Sequence, residues 1–161
     1  MIYLVQIIMA GLGALGYSVL FNTRRDKLIF SVLGSMLCWS AYILASQISD
    51  NTFITNMIAA AVGTLYAEIL ARIKKAPTTC FLIPTVIPLV PGGGLFYTIS
   101  AAINGNKQLF QSYLITTMET AFGISIGIML MSLVGVKVIK KINNTPFRRE
   151  NNEYGKYRFR S

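Results

Sequence analysis

Histidine is absent from this 161-residue chain, which also carries only six carboxylates, two cysteines and one tryptophan. Without an imidazole there is no histidine general base, no Ser-His-Asp triad and no His-ligated zinc. Cys38 and Cys80 both fall inside long apolar runs, which argues against a structural disulfide and reads each as a small buried hydrophobe. No nucleophile–base pair or metal-ligand cluster stands out, so the expectation is a non-enzyme with no cofactor and no metal. Charge is scarce too: 13% of the residues are charged, about half of the roughly 25% usual in a soluble domain.

Apolar residues make up 53% of the chain and gather into five runs, residues 2–21, 28–46, 53–71, 78–103 and 109–136, separated by short polar breaks. Each run exceeds the roughly 17 to 20 residues needed to cross the hydrocarbon core. The expected fold is therefore all-α: a polytopic membrane helical bundle of five spans over residues 1–140, followed by a basic tail, 141–161. The first run does not read as a signal peptide, because no positive residue precedes it and no good small-residue cleavage site follows.

A net charge of +9 would suggest nucleic acid in a soluble protein. Here the cations flank apolar spans and act as topology determinants. Arg24, Arg25 and Lys27 follow the first run, Arg72, Lys74 and Lys75 follow the third, and eight more Lys/Arg lie from Lys137 onward. With five spans all fourteen fall on one side and only Lys107 on the other. The positive-inside rule then puts the N-terminus outside and the tail in the cytoplasm, where it meets anionic lipid head groups at about 1 kcal/mol per basic residue. Membrane lipid, not nucleic acid, is the expected partner of the tail.

Small residues mark close helix approaches. Ala59, Gly63, Ala67 and Ala71 recur every four residues in the third run, and Gly123 and Gly127 form a GxxxG in the fifth. Such spacing serves packing within the bundle or, alternatively, association of copies into a homo-oligomer.

The fourth run contains a break. Pro84, Pro88 and Pro91 are followed by Gly92, Gly93 and Gly94, and prolines in a helix interior remove donors and crowd the preceding turn. Unpaired backbone in hydrocarbon costs several kcal/mol per group, so a break survives only within protein or beside a water-filled cavity. A helix restarting after Pro91 presents free N–H groups and the positive end of its dipole. Discontinuous helices in transporters aim such ends at anionic substrate groups. The candidate substrate-binding residues are thus Pro91, Gly92, Gly93 and Gly94, with hydroxyl help from Tyr97, Thr98 or Ser100; the plainer alternative is a proline kink packed with glycine.

Two carboxylates lie within runs. Glu119 falls about 15 Å inward from Leu109, near the bilayer centre, a depth shared with the break. An intramembrane acid usually faces a cavity or pathway, and desolvation favours its protonated form, so Glu119 is a candidate proton carrier. The alternative is a protonated packing residue beside Thr116, Thr117 and Thr120. Glu68 stands four residues before Arg72, the favourable orientation for a helical ion pair, and serves either as an interfacial salt bridge or as part of a cytoplasmic gate.

The sequences Ala67-Glu68-Ile69-Leu70-Ala71-Arg72, Lys75-Ala76-Pro77 and Ile87-Pro88-Leu89-Val90-Pro91-Gly92-Gly93-Gly94-Leu95-Phe96-Tyr97 resemble the threonine/serine exporter family, and within it the small split-subunit type. The likeness covers most of residues 1–140 and leaves out the tail. It implies export of small amino or carboxylic acids across the bacterial inner membrane, with a larger companion exporter subunit; some split members look like succinate (dicarboxylate) exporters. It supplies no established site residues. The combined expectation is a secondary-transport subunit for threonine, serine or a related small acid, proton-coupled through Glu119, against the alternative of a non-transporting assembly subunit.

Overall fold

A computed structural model describes residues 2–23 and 25–143, without the side chains of 25, 26 and 136–143. Arg24 and the basic tail from residue 144 onward lie outside the described residues. Six α-helices follow one another: α1 (Ile2–Leu20), α2 (Arg25–Ile48), α3 (Thr52–Ile73), α4 (Thr79–Val86), α5 (Gly92–Ile103) and α6 (Lys107–Asn143). No strand occurs among the described residues. Helices α1, α2, α3 and α6 are each long and apolar enough to cross a membrane unaided. The protein is an all-α, multi-pass membrane bundle.

Local chemistry sets the helix ends. Asn51 caps α3, its Oδ1 accepting from the amides of Phe53 at 3.0 Å and Ile54 at 3.4 Å, two of the donors a helix start leaves unpaired. Between α5 and α6 the chain turns at Gly105, whose φ of +68° is open to glycine without strain. The amides of Gly105 and Asn106 return to the carbonyls of Ala102 and Ala101, closing α5 and starting α6 at once. Helix α6 continues to Asn143, beyond the expected end of its span at residue 136.

Packing rests on small residues throughout. Helix α1 lays Ala10, Gly11 and Ala14 on α2, where the Ser35 hydroxyl donates to the Ala10 carbonyl at 2.8 Å. The four-residue ladder Ala59, Gly63, Ala67, Ala71 is buried, and beside it Cys38 donates its thiol to the Ala59 carbonyl at 3.3 Å. The opposite side of α3 receives α6: a methyl on Gly123 would lie 2.5 Å from the Phe53 carbonyl oxygen, and one on Gly127 would overlap that of Met57. Both glycine patterns therefore serve helix contacts inside the bundle, where lipid supplies no apolar drive and close backbone approach has to do so.

The fourth apolar run is two helices. After α4 comes one 3₁₀ turn, Ile87–Leu89, then Val90 and Pro91, and α5 leaves at 50° to the preceding segment. Alone, α4 extends about 12 Å and α5 about 18 Å, each short of a roughly 30 Å hydrocarbon core; as one bent span the pair brings the crossings to five. Their surroundings differ. Helix α4 is set among α2 and α3, with Phe81 and Thr85 fully buried, and Thr85 lies between Gly34 and Gly63, each without room for a side chain. Helix α5 rests chiefly on α6.

Candidate functional site

The break borders a cavity of about 380 Å³. Trp39 and Tyr42 of α2, Thr52 and Asn56 of α3, the Pro88–Pro91 segment with Gly94, and Tyr113, Thr116, Thr117 and Thr120 of α6 line it. No Lys, Arg, Asp or Glu is among these residues. Its polar character comes from hydroxyls, one amide, one indole and the open end of a helix.

The hydrogen bonds already made by these groups fix what they can still offer. Thr117 donates its hydroxyl to the Tyr113 carbonyl at 2.7 Å, Thr120 to that of Thr116 at 2.9 Å, and Thr116 to that of Ser112 at 3.1 Å. With their protons committed to the α6 backbone, the threonine oxygens keep lone pairs to accept with. Asn56 likewise gives an N–H to the Thr52 carbonyl at 2.8 Å and keeps its own oxygen. Donors stand elsewhere. Pro91 provides no side-chain cap for α5; the amides of Gly92 and Leu95 reach the carbonyls of Val90 and Pro91, whereas Gly93 and Gly94 N–H have no such backbone acceptor among the described residues. The Trp39 indole N–H is buried without a partner among the described residues, a state that costs roughly 1–3 kcal/mol. The lining thus joins threonine and asparagine oxygens of α3 and α6 to Gly94 at the break and Trp39 of α2.

The sequence-predicted residues divide around this cavity. Pro91 and Gly94 line it. Gly92 and Gly93 are not among the lining residues; both are exposed, with nothing within 4 Å of an added methyl. Thr98 is buried behind the wall, donating to the Gly94 carbonyl at 2.7 Å and standing 3.5 Å from Thr117 Oγ1. Tyr97 stacks on Tyr113, ring centroids 5.6 Å apart, and so supports a lining residue without lining the cavity itself. Ser100 faces Asn104 at 3.5 Å.

Glu119 shares the depth of the break, because Gly94 packs on Thr117 one short step along α6. Its direction is different. Thr117 and Thr120 are buried, while Glu119 is exposed on the outer side of α6, outside the cavity lining and with no ion pair or hydrogen bond among the described residues.

Glu68 and Arg72 close the far end of the α3–α6 contact. Arg72 Nη2 lies 3.5 Å from Glu68 Oε2 and donates to the Gly135 carbonyl at 2.7 Å. A methyl on Gly135 would meet the Glu68 carboxyl at 3.0 Å, so that side chain would have to give by a few tenths of an ångström. The pair is a clamp between two helices.

Sequence reasoning missed Trp39, Tyr42, Thr52, Asn56 and Tyr113 as lining groups. A signal did exist on α6: Tyr113, Thr117 and Thr120 recur at helical spacing and form a polar stripe on an otherwise apolar helix. Asn56 inside an apolar run was a second.

The family model for threonine/serine exporter, ThrE, matches residues 6–134, which takes in α2 to α5, most of α1 and α6, and every residue of the cavity. The chain belongs to the threonine/serine exporter family. No curated protein and no solved structure matches it. Membership of the threonine/serine exporter family makes the bundle a transporter-type membrane protein.

Proposed function

We propose that this protein is the subunit of a secondary transporter that exports threonine, serine or a related small amino acid, with the solute held in the cavity at the α4–α5 break. The observation that carries the reading is the separation of donors from acceptors within an uncharged cavity. An amino acid has a carboxylate and an ammonium on adjacent atoms. The carboxylate suits the free amides of Gly93 and Gly94 at the positive end of α5, and the ammonium suits the oxygens of Thr117, Thr120 and Asn56. A dicarboxylate such as succinate would bring two negative charges to a wall without a cation, so a zwitterion is favoured.

Positive-inside topology puts the α3 start, and with it Thr52 and Asn56, toward the extracytoplasmic side. In that orientation the cavity is on the release side of an exporter, and Arg72, Glu68 and Gly135 close the cytoplasmic side. Proton coupling through Glu119 is part of the proposal on the strength of its depth; its outward direction requires another protein surface to complete the path.

The test is threonine binding and efflux with the complex purified from native membranes and reconstituted in proteoliposomes. Saturable binding weakened by Gly93→Leu and Asn56→Ala supports the reading. Binding unaffected by both variants, or a threonine photoprobe that labels only another chain of the complex, gives this protein an assembly role instead.

A further inference from the structure

Glu119 is the charge that the bundle leaves unsolved. It stands about 18 Å along α6 from Lys107, near the middle of the membrane, and it is exposed. Around it the surface is apolar: Ile115 on the preceding turn is 58% exposed and Ile126, two turns on, 38%. The polar residues on this side are Thr116, which reaches round to the cavity rim, and exposed Ser112 two turns back. A carboxyl facing acyl chains costs a few kcal/mol or more, and such groups are found against protein or water. The glycines nearest this surface, Gly123 and Gly127, are already occupied by α3, so α6 cannot simply roll to bury the acid.

A second copy of this chain is a poor cover. No Lys or Arg lies in the middle of any of its spans, so a symmetric contact here would set Glu119 against apolar residues or another Glu119. We infer that this face of α6 docks a transmembrane helix of a different protein, one that presents a cationic or amide side chain at mid-membrane depth to Glu119. The inference rests on the membrane-transport reading for the depth of Glu119. It adds the partner's position and chemistry. Docked there, the partner helix also borders the cavity through Thr116, which brings Glu119 and the solute space within one helical turn of each other.

The experiment places a photo-crosslinking residue at Ile115 or Ile126 of the full chain in its native membrane, with Ala121 as control, since two residues on from Glu119 lies on the other side of the helix. The expected result is an adduct from positions 115 and 126, absent from 121, whose sequenced partner peptide is a membrane span with a Lys, Arg, Asn or Gln near its middle. Glu119→Leu should lower that adduct at least fivefold, while Glu119→Gln, which still accepts a hydrogen bond, keeps most of it. Adducts with lipid only, adducts with a second copy of this chain, a partner span with no such side chain, or a yield unchanged in Glu119→Leu would each overturn the inference. Threonine binding measured on the same preparations separates the two ideas: binding lost with the adduct intact defeats the solute site, and the converse defeats the docking face.

Discussion

Gly94 of α5 meets Thr117 of α6 so closely that a methyl on the glycine would stand 2.6 Å from the threonine hydroxyl oxygen. Through this contact α5 is seated and the wall of the cavity is closed. Gly94→Ala should destabilise the protein by about 1–3 kcal/mol through overpacking and weaken threonine binding. Thr117→Ala alone should be milder, and the double variant should recover part of the lost stability, because the methyl then meets a side chain without the hydroxyl. Thermal unfolding in detergent across the four proteins of this cycle reads the coupling; strict additivity would mean that the two residues do not touch.

Gly93 offers the opposite case. An added side chain meets nothing within 4 Å, so Gly93→Leu should leave the melting temperature nearly unchanged while obstructing the approach to the α5 amides. Threonine affinity is expected to fall at least tenfold. Calorimetric titration decides it, and an unaltered affinity removes the helix start from the site.

Glycines inside the bundle should sort by their surroundings. Gly127→Val drives a branched side chain onto the Met57 carbonyl and should cost about 1–3 kcal/mol or prevent assembly of α3 with α6. Gly13→Ala, on α1 with open space around it, should gain about 0.5–1 kcal/mol from the lower backbone entropy of alanine in the unfolded chain. Matched thermal melts of the two variants check both signs together.

The Arg72 clamp has a measurable strength. Arg72 is about a third exposed on its side chain, so solvent weakens its ion pair with Glu68, and most of the effect of Arg72→Ala should come from losing the bond to the Gly135 carbonyl, about 1 kcal/mol. Glu68→Gln should cost less. If Arg72→Ala instead changes efflux tenfold with little change in melting temperature, the clamp works as a gate.

Proton coupling is tested by Glu119→Gln in proteoliposomes containing the whole complex. Transport driven by a pH gradient should disappear while solute exchange continues. Full response to the gradient in this variant would end the proton-carrying role.

The break was legible because proline and glycine act locally: Pro88 and Pro91 cannot donate, and no neighbour can repair that, whereas Pro84 sits inside α4 without ending it. The level of Glu119 beside the break was legible for a similar reason, as it needs only a count along one helix. Its direction was not. The outward side of α6 is defined by where α3 and α5 settle, and Glu119 falls between two buried threonines, Thr117 and Thr120. The cavity was hidden for the same cause. Trp39, Asn56 and Thr120 belong to three helices, each is unremarkable in its own segment, and only packing brings them to one space.

The two halves of the broken span are held unequally. Thr85 pins α4 between the glycines of α2 and α3, whereas α5 has little beyond α6 to keep it where it is. Between them lies a stretch in which Pro88 and Pro91 have no amide to lose. Swinging α5 about Val90 would therefore rupture side-chain contacts with one neighbour and almost no backbone hydrogen bonds. Such a turn would carry Val90, Pro91 and Gly94, one side of the cavity lining, without dismantling the core.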